Sequence, residues 1–143
     1  MTRVDFYILE ESRHDRLRLA CHLAEKAFMS AMTVYINAAS AAQATQLDKL
    51  LWVFRDGSFV PHRCLGPSGA TEKFAEAVVI GCGEDSQEHH GMLINLASEV
   101  PEIFSRFERV AELVGRGAET RANGRRRFRF YRDRGYSLNT HRM

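Results

Sequence analysis

The sequence predicts an α/β fold, a single three-layer α/β/α domain spanning 1–143, with a mostly parallel central sheet, Rossmann-like but without a phosphate-binding loop. Three observations predict it. Short apolar, β-branched runs alternate with stretches of helical period through the first 52 residues, the order that builds parallel βαβ units. At 143 residues, 45% apolar and 27% charged, the chain is long enough for one real core and unlike a disordered or low-complexity polymer. No internal repeat or linker divides it.

Val4 to Leu9 is an aromatic and β-branched run that reads as a buried strand. Ser12 with Asp15 resembles a capping box. Leu17, Ala20, Cys21, Ala24, Ala27 and Phe28 follow at helical spacing, which predicts a helix of about five turns. Thr33 to Asn37 is a second strand. Ser40 and Gln43 open a second helix, with Ala44, Leu47, Leu50 and Leu51 on one face. Arg55 to Ser58 is a turn, Phe59 to His62 an extended edge, and Gly66 to Gly69 a loop. Ala77 to Ile80, Met92 to Leu96 and Arg109 to Val114 are further strands. A closing helix covers Ala118 to Arg134 and stops at Gly135, with Gly124 a weakness inside it.

No apolar run approaches the ~20 residues needed to span a bilayer, and the N-terminus lacks the apolar stretch of an export signal. A cytoplasmic location is expected, with no membrane partner. Cys21, Cys64 and Cys82 are an odd, widely spaced set, read as reduced thiols. His89 and His90 are adjacent and cannot share one side of a regular element, so no metal site is expected.

Phosphate loops are missing where this fold would carry them. The first strand runs into Glu10-Glu11-Ser12, Gly81-Cys82-Gly83 continues into Glu84-Asp85, and GPSGATEK from Gly66 lacks the Gly-Lys-Ser/Thr ending. No G-x-S-x-G elbow occurs either. The sequence therefore points to binding rather than catalysis, and to no cofactor.

Charge gives the binding hypothesis its direction. Residues 1–115 carry 11 Lys/Arg and 16 Asp/Glu, whereas residues 116–143 carry 9 and 2, so net charges of −5 and +7 make up the overall +2. A cationic segment on an acidic body suits an anionic partner. On a helical wheel with Arg121 at zero, Arg125, Phe128 and Arg132 fall within about 60° and Arg129 on their flank at about 80°. An acidic ligand would relieve the repulsion on this stripe. The same residues also suit a solvated face with Phe128 and Tyr131 turned to the core, or a direct nucleic-acid-binding module in which Arg and aromatic side chains stack on bases.

Three segments in order, VDFYILE from Val4, LDKLLWVFRDGSFVPH from Leu47 and FRFYRDRGYSLNT from Phe128, resemble the chi subunit family of bacterial DNA polymerase III. The stretch from Gly66 to Glu88 departs from that pattern. The resemblance implies a non-catalytic clamp-loader subunit that supports DNA replication and bridges two partners. One is the psi subunit. The other is the C-terminal tail of single-stranded DNA-binding protein, acidic and ending in phenylalanine with a free carboxylate, so DNA is met only through partners.

Carried over by position, the resemblance gives Arg125 the terminal carboxylate, and Arg121 and Arg129 the tail's aspartates. Phe128 stands where the family commonly has tyrosine, which keeps the apolar contact and gives up a hydroxyl. Val114 and Thr140 line the pocket, while Trp52 and Phe59 match the aromatic positions that meet psi.

Overall fold

A computed structural model describes residues 2–11, 15–57, 59–65, 77–83 and 89–143. The elements run β1 (Arg3–Ile8), α1 (Arg16–Met29), β2 (Val34–Asn37), α2 (Ala41–Val53), β3 (His62–Cys64), β4 (Val78–Gly81), β5 (Met92–Asn95), β6 (Arg109–Val114), α3 (Ala118–Asp133) and β7 (Ser137–Arg142). A 3-10 helix, Glu102–Arg106, stands between β5 and β6.

The strands form one seven-stranded sheet in the order β3-β4-β2-β5-β6-β1-β7. Every neighbouring pair is parallel, where the sequence predicted a mostly parallel sheet. Parallel sheets need cover on both faces, and strand alternation provides it. Val34, Ile36, Val78, Ile80, Ile94 and Leu113 point to one face, packed under Ala20, Ala24, Leu47 and Leu51 of α1 and α2. Phe6, Tyr35, Val79, Leu93 and Val110 point to the other, under Phe104 of the 3-10 helix and Tyr131 of α3.

Local chemistry sets the helix ends, in one case differently from the sequence reading. α1 is capped by Asp15, whose carboxylate accepts the Leu17 N–H at 2.7 Å. Ser12 lies outside the described residues, and α1 is 14 residues long, about four turns rather than five. α2 starts as predicted, with Ser40 Oγ accepting the Gln43 N–H at 3.1 Å. Gln43 Oε1 reaches back to the Ala39 N–H at 2.7 Å. α3 ends beside Gly135, which sits at φ +80° where a side chain would be strained.

Three other boundaries differ. The edge expected at Phe59 to His62 pairs only from His62 onward, as β3. Neither the 3-10 helix nor β7 was predicted. β7 reads SLNTHR and is mostly exposed, because an edge strand with one half-buried residue, Leu138, carries no apolar alternation to detect. The loop expected at Gly66 to Gly69 and the acidic Glu84-Asp85 lie outside the described residues.

Candidate functional site

Register builds the site. Phe6 of β1 sits beside Thr140 of β7, and one pleat further Val114 of β6, Ile8 and Arg142 form a row across three strands. These side chains share the face that α3 covers. α3 lies close because Gly124 has no side chain: a Cβ there would fall 2.9 and 3.0 Å from the two methyls of Val114. Gly124, taken in the sequence as a helix weakness, is what lets α3 approach β6.

Between α3 and the end of the sheet runs an open cleft of about 310 Å³. Phe6, Ile8, Val114, Gly124 and Phe128 supply its apolar lining, and Arg121, Arg125, Thr140 and Arg142 its polar rim. Phe128 meets Phe6 edge-on at 5.3 Å between ring centroids. Arg121 donates from a terminal guanidinium nitrogen to the Leu9 carbonyl at 3.1 Å. Arg142 is paired with Glu10 at 2.7 Å. Arg125 is exposed and makes no hydrogen bond or ion pair among the described residues.

Five residues named from the sequence thus meet in one place: Val114, Arg121, Arg125, Phe128 and Thr140. Arg129 and Arg132 lie outside the cleft; Arg129 is exposed, and Arg132 contacts Asp133 at 3.4 Å on the solvent side. Sequence reasoning missed Phe6, Ile8 and Arg142. Phe6 and Ile8 read as core, and Arg142 falls in the strand that was not foreseen.

The buried side of α3 was missed too. Arg127 is 4% exposed, and its Nε donates to Glu112 Oε1 at 2.8 Å. Glu112, fully buried on β6, also accepts from Tyr131 Oη at 2.7 Å and from Asn95 Nδ2 at 3.0 Å. Arg127 donates again to the Ser98 carbonyl at 3.0 Å. Burial raises the Glu112 pKa, opposed by Arg127 and the three donated hydrogen bonds. Tyr131 is raised as well, by burial and by the adjacent carboxylate. The readable signal was Glu112 itself, a lone carboxylate in the apolar strand RVAELV.

A second feature lies at the far edge of the sheet. Trp52 and Phe59 are 56% and 68% exposed, with ring centroids 6.1 Å apart, beside Val53 at 71%. Their neighbour is the fully buried side chain of His62, 4.6 Å from the Trp52 ring. Its ring nitrogens lie 2.7 Å from the Val60 carbonyl and 3.0 Å from the Asp48 carbonyl, which ties the segment carrying Phe59 to α2. A larger cleft of about 690 Å³, at the carboxyl ends of β2, β4 and β5, carries Glu99, Glu102 and Arg106 in its lining. Among the described residues no helix is long and apolar enough to cross a membrane.

A family model described as DNA polymerase III chi subunit, HolC, matches residues 1–139. The chain is 45% identical to DNA polymerase III subunit chi of Pseudomonas aeruginosa, over 100% of this chain and 98% of that one. It is 29% identical to the protein of the same name from Escherichia coli, over 98% of this chain and 97% of the relative. Among solved structures it is similar to the crystal structure of T4 UvsW, with a TM-score of 0.71 at 10% identity, over 99% of this chain and 41% of that longer one. That likeness is one of fold alone.

Proposed function

The chain belongs to the DNA polymerase III chi subunit family, accessory subunits with a role in DNA replication, and from that premise we propose that it holds the acidic C-terminal tail of single-stranded DNA-binding protein in the α3 cleft. On this reading it is a non-catalytic, cytoplasmic subunit of the clamp-loader complex, folded as one domain over 1–143, and meets DNA only through its partners. The observation that carries the reading is Arg125, a guanidinium with no partner among the described residues, standing over an apolar crevice.

The division of labour follows from the chemistry. The terminal phenyl ring enters between Phe6, Ile8, Val114 and Phe128, where burial is worth roughly 1.5–3 kcal/mol. The carboxylate meets the two-pronged donor set of Arg125. Arg121 and the exposed Arg129 face the carboxylates that precede the ring, and the Thr140 hydroxyl can donate at the rim. Phe128 contributes its ring and no hydrogen bond. A flexible tail loses entropy on ordering, so affinity is expected on the order of micromolar, about −8 kcal/mol, and to fall with salt.

Trp52 and Phe59 serve the psi subunit, on an exposed aromatic pair of the kind that anchors interfaces. Direct capture of nucleic acid has less support: of the nine cations after residue 115, Arg127 is buried in an ion pair, and Arg132 and Arg142 contact carboxylates.

The test is a titration with a labelled acidic peptide ending in phenylalanine. Arg125→Ala should weaken it about tenfold or more, the scale of a charged hydrogen bond. Unchanged affinity would refute the assignment of the carboxylate site.

A further inference from the structure

We propose that His62 is a pH-sensitive latch beneath the exposed Trp52 and Phe59 pair: with both ring nitrogens protonated it fastens the segment carrying Phe59 to α2, and loss of one proton loosens that surface. The latch serves the pair assigned above to psi and so rests on that reading, but its first test needs the chain alone.

Geometry sets the number of protons. The His62 side chain is fully buried. Its Nδ1 lies 2.7 Å from the Val60 carbonyl and its Nε2 3.0 Å from the Asp48 carbonyl. A carbonyl oxygen only accepts, and a neutral imidazole has a single N–H to donate. In either neutral tautomer one ring nitrogen therefore turns a lone pair on an oxygen at hydrogen-bond distance, away from water. The imidazolium alone satisfies both contacts.

The surroundings favour that cation. Asp48 Oδ1 stands 3.3 Å from Nε2, so the carbonyl and the carboxylate of one residue face the same N–H. The Trp52 ring lies 4.6 Å from the imidazole between centroids, within reach of a cation–π attraction. Other charges are turned elsewhere. Strand alternation sends Arg63 to the opposite face from His62 and Cys64, and the register partner of His62 on β4 is the apolar Val78. Towards the end of α2, Lys49 and Asp56 are exposed and Arg55 is paired with Glu25 of α1.

One ring thus joins the two halves of the aromatic surface. Asp48 lies one helical turn before Trp52, and Val60 directly follows Phe59. The Trp52 and Phe59 rings, 6.1 Å apart, are held in that arrangement by both contacts on the acid side of the transition and by one contact on the alkaline side.

Trp52 is the only tryptophan in the chain, so its emission reports this site alone. An imidazolium quenches a neighbouring indole more than a neutral imidazole does. Scanned from about pH 5 to pH 8.5, the range in which histidines titrate, the emission of the unaltered chain should rise in one step. His62→Gln should abolish the step, and Asp48→Asn should move it to lower pH. Nitrogen-15 NMR of the unaltered chain gives the same answer should a variant misfold: both His62 ring nitrogens carry protons below the step and one loses its proton above it. Absence of a step, a step that survives His62→Gln, or one that Asp48→Asn leaves in place would overturn the latch. Psi should bind the unaltered chain about fivefold more tightly on the acid side, the weight of one hydrogen bond, and His62→Gln should lose that difference. Equal psi affinity on both sides of a confirmed step would refute the coupling to the surface. Failure of the psi reading looks different: the step is present and depends on His62, yet psi binds at no pH.

Discussion

Arg125 and Arg127 are two positions apart on one helix and have opposite environments. About 200° of helical turn separates them, enough to put one guanidinium in solvent and the other 4% exposed against a buried carboxylate. Removing one partner of such a buried pair strands the other, at a cost of about 3–5 kcal/mol. Arg127→Met should therefore shift the chemical unfolding midpoint strongly, whereas Arg125→Met should leave it nearly unchanged while weakening tail binding. Equal effects of the two on stability would contradict the assignment. The cysteines divide in the same way. Burial pushes the Cys21 thiol up to about 12, so almost none is thiolate at pH 8, while Cys82 is exposed. Iodoacetamide at that pH should modify Cys82 in the folded chain and reach Cys21 only after denaturation, as read by mass spectrometry of peptides.

At the scale of elements, α3 is the part on which the proposed tail binding depends, and its close approach to β6 requires a glycine. Gly124→Ala gains about 1 kcal/mol of helix propensity. Set against that, the new methyl would fall within 3.0 Å of the short, branched Val114 side chain, and crowding of that kind costs about 1–3 kcal/mol. The net expectation is a modest loss of stability and weaker tail binding as α3 is pushed from β6; a stabilised variant with unchanged binding would show that the close approach does not matter. Much of this architecture was legible in the sequence. Six strands announced themselves as apolar or extended runs, and the helices by periodicity, since each buries one stripe. β7 was not legible because it is an edge strand of polar residues that borrows its order from β1. Its loss from the reading removed Arg142 from the site, although Thr140 was found by resemblance. The wheel grouped Arg121, Arg125 and Phe128, which line one cleft, with Arg132, which does not line it, because periodicity fixes direction around a helix and says nothing of where the cleft ends along it. The Glu112–Arg127 pair needed the sheet and helix together, which no local pattern contains.

Across the whole molecule, the two proposed surfaces lie at opposite edges of the sheet. Trp52 and Phe59 sit by β3 at one edge, and Thr140 and Arg142 belong to β7 at the other. Seven strands spaced ~4.8 Å put those edges roughly 29 Å apart, so one chain can hold two partners without their meeting. Trp52→Ala should weaken the psi complex at least ~tenfold, as loss of an interface anchor does, and leave tail-peptide affinity within about twofold. Competition between psi and the tail peptide in calorimetry would count against separate surfaces. The fold itself is shared with a protein of quite different length, as the T4 UvsW likeness illustrates, which is why the proposed function rests on the cleft and its arginines rather than on the sheet.

The most direct test of carboxylate capture alters the ligand and leaves the protein intact. An acidic peptide ending in phenylalanine is titrated against the unaltered chain, first as the free acid and then as the C-terminal amide, at the same salt. The account predicts that amidation weakens binding about tenfold or more while the upstream charges are unchanged. Equal affinity for acid and amide would contradict it.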